Sequence, residues 1–229
     1  VPAYEEARTI GALLEELDAR FSAETVVRVL NDRGDDDTGA VVRGFSPDTI
    51  TIDIMEREGR QGLGSAYRAA IPDCDTDHVG YMDADLSHRP RDMERMYERV
   101  RTSGCDLVIG SRFVRGGERR DPLHRRLPPL IGSWLYQHIA GFPVADVTSG
   151  IRVFDRSVVD AIDWDALPAD YSFQTGFTAA ALRSGIAICE EPIVFKQREA
   201  GRSKYHLGHL ISNVELLMDV LLGRSPVDR

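Results

Sequence analysis

A chain of 229 residues, 42% hydrophobic and 28% charged, has the make-up of a folded protein that buries a sizeable core. Its formal net charge of -9 argues against general nucleic-acid binding. No signal peptide and no run of about 18 apolar residues occurs, which predicts a cytoplasmic protein without a helical membrane span.

The three cysteines, Cys74, Cys105 and Cys189, have no metal-ligand spacing and argue against a disulfide framework. Lys196 and Lys204 are the only lysines, leaving 26 of the 28 basic residues as arginine. Such an acidic, lysine-poor surface suits a high-salt cytoplasm, and a GC-rich genome explains the arginine bias equally well. The chain starts at Val1-Pro2 without methionine, and its short first strand predicts residues before Val1.

Glu6 to Leu17 places Ile10, Leu13, Leu14 and Leu17 on one helical stripe. Val26 to Leu30 reads as a strand interrupted by Arg28, and Thr49 to Met55 alternates like a second strand. Gly64 to Ile71 suits a helix stopped by Pro72, and His78 to Met82 is the next strand. Pro90 to Val100 reads as a helix with proline at its start and Met93, Met96, Tyr97 and Val100 on one face. Leu107 to Gly110 follows as a strand. This alternation predicts a three-layer α/β/α architecture with a mostly parallel central sheet. Ligands of such sheets bind beyond the carboxyl ends of the strands, where Asp32, Asp83 and Asp85 fall.

After Gly117, Glu118 to Arg126 reads as a charged loop with four arginines, followed by a helix to Ala140. Ile151 to Phe154 and Ala187 to Phe195 read as strands around a helix from Phe173 to Arg183. Leu210, Ile211, Val214, Leu217, Met218, Leu221 and Leu222 form a wide apolar helical face. That face fits core or a dimer seam, with a helix lying on a membrane surface as the alternative. Glu215, Asp219 and the absence of lysine on the polar face count against the alternative. No repeat, low-complexity segment or linker interrupts the chain, so residues 1–229 read as one domain.

Tyr81-Met82-Asp83-Ala84-Asp85 is the most informative stretch. Two carboxylates just past a strand repel each other unless a cation lies between them. A hard divalent ion, Mg2+ or Mn2+, that also touches a diphosphate is the natural occupant, because it keeps few protein ligands. The plain alternative is a solvated acidic turn.

Seven segments in order resemble the family 2 inverting glycosyltransferases of GT-A fold, and among them the polyprenyl-phosphate branch typified by dolichyl-phosphate mannosyltransferases. They are Pro2-Ala3-Tyr4-Glu5-Glu6, Asn31 to Thr38, Gly62-Leu63-Gly64, Asp83-Ala84-Asp85, Gly110-Ser111-Arg112-Phe113, Asp146 to Arg152 and Gly201-Arg202-Ser203-Lys204. The resemblance implies that Pro2, Tyr4 and Glu6 touch the nucleoside and that Asp32 accepts from a ring N–H of the base, as an acceptor-only group suits. It implies that Gly62 and Gly64 let backbone run close to the nucleotide. Asp83, Ala84 and Asp85 match the metal and nucleotide-sugar motif, with Ser87 where a further metal ligand, often Gln, is expected. Arg112 and one of Arg125 or Arg126 match arginines that hold the lipid phosphate. Arg198, Ser203 and Lys204 match a mobile loop that closes over the donor diphosphate. Asp146 matches a residue near the acceptor, with a turn cap as the plain alternative.

The departures are Glu5 for Asn, Asn31 for the first acid of its pair, Ser87 for Gln, and Gly176 for a glutamate near Gln174. The serine expected four residues after the loop arginine falls near Pro129 or Leu130. A polyprenyl phosphate is already ionised and needs no base, so Gly176 suits a phosphate acceptor better than a hydroxyl acceptor. The implied reaction is one metal-dependent displacement with inversion, from GDP-mannose or UDP-glucose to dolichyl or another polyprenyl phosphate, with peripheral membrane contact. Two alternatives stay open. One is a family 2 transferase with a non-lipid acceptor. The other is a silent nucleotide-sugar-binding subunit, favoured by Asn31, Ser87 and Gly176. The six histidines show no paired ligand spacing and read as structural or solvated.

Overall fold

The computed structural model describes residues 1–59, 61–120, 123–196 and 207–222, with backbone alone for 123–126 and 207–211. In chain order the first half runs β1 (Pro2–Ala3), α1 (Ile10–Asp18), β2 (Val26–Asp32), α2 (Thr38–Gly44), β3 (Thr51–Arg57), α3 (Leu63–Ala70), β4 (His78–Tyr81), α4 (Pro90–Ser103) and β5 (Leu107–Ser111). The second half continues with β6 (Glu118–Arg119), α5 (Leu123–His138), β7 (Arg152–Asp155), α6 (Arg156–Ala161), α7 (Phe173–Arg183), β8 (Ile188–Pro192), β9 (Val194–Phe195) and α8 (Leu207–Leu221).

The strands form hydrogen-bonded blocks ordered β1-β2-β3, β4-β7-β5-β8 and β6-β9. Four of the six pairings are parallel, while β7 runs antiparallel to both β4 and β5. Arg28 does not interrupt β2. It lies opposite Asp53 of β3 in register and its Nε meets Asp53 Oδ2 at 2.6 Å on the half-exposed face. Charge pairing across neighbouring strands lets the strand run on to Asp32.

The period of two in the strands separates two apolar layers. Leu107 and Ile109 of β5 and Phe154 of β7 face Tyr67, Trp164, Phe173 and Phe177. Val108 and Val153 face the other way, against Ile10, Leu13, Leu14, Met93 and Met96 of α1 and α4. Val27 and Val29 of β2 join that second layer, so α1 and α4 cover both larger blocks. Asp92 is 1% exposed in the first turn of α4 and accepts from Arg89, Arg95 and the Val194 backbone, which ties β9 to this helix.

Several expectations are corrected. Cys105 and Cys189, preceding β5 and within β8, are joined by a disulfide with Cα atoms 5.9 Å apart, because parallel pairing sets the two segments side by side. The segment after Gly117 is not all loop: Glu118–Arg119 is β6, and α5 already begins at Leu123, so Arg125 and Arg126 lie in its first turn. The apolar face of α8 is divided. Leu216 and Leu217 are buried, while Val214, Met218, Leu221 and Leu222 are exposed. Leu127, Leu130, Ile131 and Trp134 of α5 are exposed as well, and the two helices meet where Tyr136 Oη donates to Asn213 O at 2.8 Å. No described helix is long and apolar enough to cross a membrane.

Gly64 makes the tightest approach of the described glycines. A Cβ there would lie 2.2 Å from Pro168 O and 2.7 Å from Ala169 C, both backbone atoms that cannot swing aside. Gly64→Ala is therefore expected to destabilise the protein by about 1–3 kcal/mol, the cost of overpacking. Gly44, at the end of α2 with open space around it, is the control. Gly44→Ala is expected to be neutral or stabilising by up to about 1 kcal/mol. Urea unfolding of both variants checks the contrast.

Candidate active site

The chain leaves β4 at Tyr81, one residue earlier than the pattern predicts, and turns sharply. Asp83 and Asp85 therefore sit on a turn rather than on alternating strand positions. Leu86 takes φ 60°, a left-handed conformation that costs a branched residue energy and that recurs where backbone is shaped for function. Asp85 is 2% exposed, and its Oδ1 accepts from the Ser87 amide at 3.0 Å and the Ser87 hydroxyl at 2.6 Å. Ala84 is buried beneath the turn. Lys196 N donates to Ser87 O at 2.9 Å, so the end of β9 is anchored to this turn.

Antiparallel pairing sets Tyr81 of β4 opposite Arg152 of β7. The same register, continued past the strands, brings Gly150 beside Asp83, where a Cβ on Gly150 would lie 3.0 Å from Asp83 Oδ2. Thus the Thr148-Ser149-Gly150 turn and the acidic turn meet. The donors fit a hard divalent ion: two carboxylates and a hydroxyl, all oxygen, on one short turn. Among the described residues there is no cluster of three or more His, Cys, Asp or Glu side chains. A cation here would take its remaining ligands from phosphate and water.

The nucleoside-side candidates gather at the ends of β1 and β2. Pro2 pairs with Leu30 in register, and Gly34 packs so closely on Tyr4 and Glu5 that a Cβ would fall 2.7 Å from Glu5 Cγ. Glu6 is buried, with its amide on Thr38 Oγ1 and its Oε2 accepting from Thr9 Oγ1. Asp32 is buried and ion-paired to Arg57 Nη1 at 2.9 Å. Gly62 and Gly64 do permit a close backbone approach, but to the chain's own Pro168–Asp170 loop. A Cβ on Gly62, at φ 97°, would lie 2.7 Å from Ala169 O.

Arg112 and Asp146 form one buried unit. Arg112 Nε and Nη2 grip Asp146 Oδ2 and Oδ1 at 2.6 and 2.7 Å, and Nη2 also reaches Thr148 Oγ1 at 2.8 Å. Arg112 is therefore buried rather than part of an exposed basic cluster, and Asp146 is fully buried and does more than cap a turn. Burial pushes the Asp146 carboxyl up, but Arg112 and its hydrogen bonds outweigh that and hold it below the ordinary 3.8. The side chains of Arg125 and Arg126, and all of Arg198, Ser203 and Lys204, lie outside the described residues.

Gly176 sits at the end of the first turn of α7 with Pro168 Cδ only 2.6 Å from where a Cβ would be, so this position has no room for a glutamate. Below it, Tyr81 Oη donates to Gln174 Oε1, and Arg152 Nη2 donates to Val147 O and Gln174 O.

The sequence profile described as Glycosyl transferase family 2 matches residues 1–163. The chain belongs to this family. It is 34% identical over 222 residues to the undecaprenyl-phosphate mannosyltransferase of Micrococcus luteus, covering 93% of this chain and 90% of that one. It is 32% identical over 212 residues to the polyprenol monophosphomannose synthase of Mycolicibacterium smegmatis, covering 89% and 78%. In fold it matches the crystal structure of glucosyl-3-phosphoglycerate synthase from Mycobacterium tuberculosis in complex with Mn2+, UDP and glucosyl-3-phosphoglycerate. The TM-score is 0.70 at 19% identity, covering 100% of this chain and 79% of the other. The protein is a glycosyltransferase with the GT-A fold.

Three residues at the candidate site were given no role by the sequence, although Gly150 falls in one of the matching segments. Arg57 is one arginine among 26, and only the in-register pairing of Asp32 with Arg57 places it. Gly150 acquires meaning only through the antiparallel β7. His88 is buried rather than solvated, with Nε2 3.6 Å from Asp83 Oδ2. Its five-residue separation from Asp83 matches neither the helical nor the strand period.

The Arg112–Asp146 pair sets a pH-dependent contribution. A carboxyl held low adds stability that is fully present above about 3.9 and is lost as pH falls through the depressed value. Asp146→Asn, which leaves Arg112 buried without its counter-charge, is expected to cost about 3–5 kcal/mol at neutral pH. The deficit is expected to shrink in acid, where the parent carboxyl is protonated too. Urea unfolding at neutral and acid pH measures it, and a deficit unchanged by pH would contradict the assignment.

Proposed function

We propose that this glycosyltransferase moves a hexose from a nucleoside-diphosphate sugar to a polyprenyl phosphate in one inverting displacement. The observation that carries the reading is the packing of Gly176 against Pro168, which leaves no carboxylate base at that position. An ionised phosphate oxygen attacks without one. The anomeric carbon–oxygen bond to the diphosphate breaks as the new carbon–oxygen bond to the lipid phosphate forms, and no proton has to move. The named activities of the Micrococcus and Mycolicibacterium relatives support the same acceptor class.

Asp83, Asp85 and Ser87 would hold a divalent cation, Mg2+ or Mn2+, which when bound supplies charge stabilisation to the departing diphosphate. Pro2, Tyr4 and Glu6 border the nucleoside, and Asp32, fixed by Arg57, accepts from a ring N–H of the base. GDP-mannose and UDP-glucose both suit that acceptor. In sequence Arg198, Ser203 and Lys204 follow Lys196, which is tied to Ser87; Arg198 and Lys204 would supply positive charge to the diphosphate and Ser203 a hydroxyl donor. Because Asp146 neutralises Arg112, the charge that holds the lipid phosphate falls mainly to Arg125 and Arg126, while Arg112 fixes the surrounding backbone.

Transfer from labelled GDP-mannose and UDP-glucose to dolichyl phosphate tests the reading. Changing Arg125 and Arg126 together to alanine is expected to raise KM for the lipid about ten- to a hundredfold, the worth of a lost charge-assisted contact, with KM for the donor little changed. Turnover on a sugar hydroxyl but not on polyprenyl phosphate would sink it.

The outward apolar residues of α5 and α8 support peripheral contact with the inner face of the cell membrane, beside the arginines that begin α5. Each large apolar side chain moved into lipid is worth about 1.5–3 kcal/mol. Ile131→Glu with Trp134→Glu is therefore expected to weaken flotation with liposomes by at least about tenfold while leaving the melting temperature unchanged. Equal flotation of parent and variant would place the lipid contact elsewhere.

A further inference from the structure

We propose that His88 is a positioning residue for Asp83, holding that carboxylate in the orientation that receives the divalent cation. The inference rests on the cation reading given above.

The His88 side chain is 1% exposed, with Phe195 and Gly150 beside the ring and a fixed backbone before it. The Phe195 ring meets it edge-on at a centroid distance of 5.2 Å. Gly150 gives it space, since a Cβ there would lie 3.4 Å from His88 Nε2 as well as 3.0 Å from Asp83 Oδ2. The Lys196–Ser87 hydrogen bond fixes the backbone just before it. A ring so confined has little rotamer freedom to lose, which is what a positioning group requires.

The two ring nitrogens are in different situations. Nε2 is 3.6 Å from Asp83 Oδ2, and Nδ1 is buried with no hydrogen-bond partner. A neutral imidazole carries one proton, and a carboxylate accepts only. The proton therefore belongs on Nε2, facing Asp83. The 3.6 Å separation is slightly longer than a hydrogen bond, and a small rotation of the aspartate would close it. A bond from Nε2 to Oδ2 would leave Oδ1 for the cation, and the Asp83 side chain is 29% exposed while that of His88 is 1% exposed. Orienting partners of this kind typically change metal affinity about 10- to 100-fold when removed.

The chemistry separates the donor's position from mere bulk. Glutamine places its amide nitrogen where Nε2 stands, whereas asparagine places it near Nδ1, on the side away from Asp83. The experiment measures Mn2+ binding to the full chain in the presence of GDP or UDP, following loss of the free-ion EPR signal, with melting curves as a check on folding. His88→Ala and His88→Asn are expected to weaken Mn2+ binding about 10- to 100-fold. His88→Gln is expected to restore most of it. Nucleotide affinity without metal is expected to be unchanged in all three. If folded His88→Ala and His88→Asn proteins bind Mn2+ like the parent, or if Gln is no better than Asn, the positioning role is wrong. Should the alanine variant fail to fold, the Gln–Asn comparison still decides. If the parent takes up no Mn2+ with nucleotide, or if Asp83→Ala binds it equally well, the cation reading itself has failed.

Discussion

The buried pair of Arg112 and Asp146 is the constraint on which the site hangs. Taking two charges out of water is costly, and a buried pair is tolerated only when the remaining polar groups around it are satisfied. Here they are. Asp146 receives the Arg112 amide and both arms of its guanidinium, while Glu190 of β8 receives the amides of Ala145 and Asp146. The end of β5, the loop before β7 and strand β8 are thereby locked together. That lock sets where the chain enters β7, and so where Gly150 meets Asp83. The geometry of the acidic turn thus depends on an ion pair that touches neither acid of the motif.

Phe195 links this lock to the acidic turn. Its ring lies 5.4 Å from the Arg112 guanidinium carbon and 5.3 Å from that of Arg119, and it also meets the edge of His88. Arginine faces on an aromatic ring gain most where water is excluded. Phe195 is followed by Lys196, whose amide is bound to Ser87, so β9 spans from the buried pair to the proposed cation site.

Elements that follow a single period were legible in the sequence: Leu13, Leu14 and Leu17 announce α1, and in the second half the helix predicted over Phe173 to Arg183 has those bounds in the structure. The short α2, Thr38–Gly44, has no such stripe and was not predicted. What was not legible involves partners distant in sequence. The antiparallel placement of β7 follows the long excursion through α5, and nothing local in Ile151 to Phe154 states its direction. The Cys105–Cys189 bridge depends on β5 lying beside β8, a separation of 84 residues. Arg112 was matched by resemblance to an arginine that holds the lipid phosphate. Its burial comes from Asp146, which pattern alone could not bring to it.

Gly64 and Gly176 show how acceptor chemistry and packing are joined. Both glycines press on the same short loop: Gly64 of α3 on Pro168 O, and Gly176 of α7 on the Pro168 ring. The loop is itself anchored to the aromatic layer through Trp164 and Leu167, and the Arg68 side chain donates to Leu167 O. A glutamate at position 176 would need the space the proline ring fills, so a base at that place and this loop exclude each other. For a hydroxyl acceptor the exchange would remove a group the reaction needs. For an acceptor that arrives ionised the position is released from chemistry, and the helix uses it to close the wedge between α3 and α7.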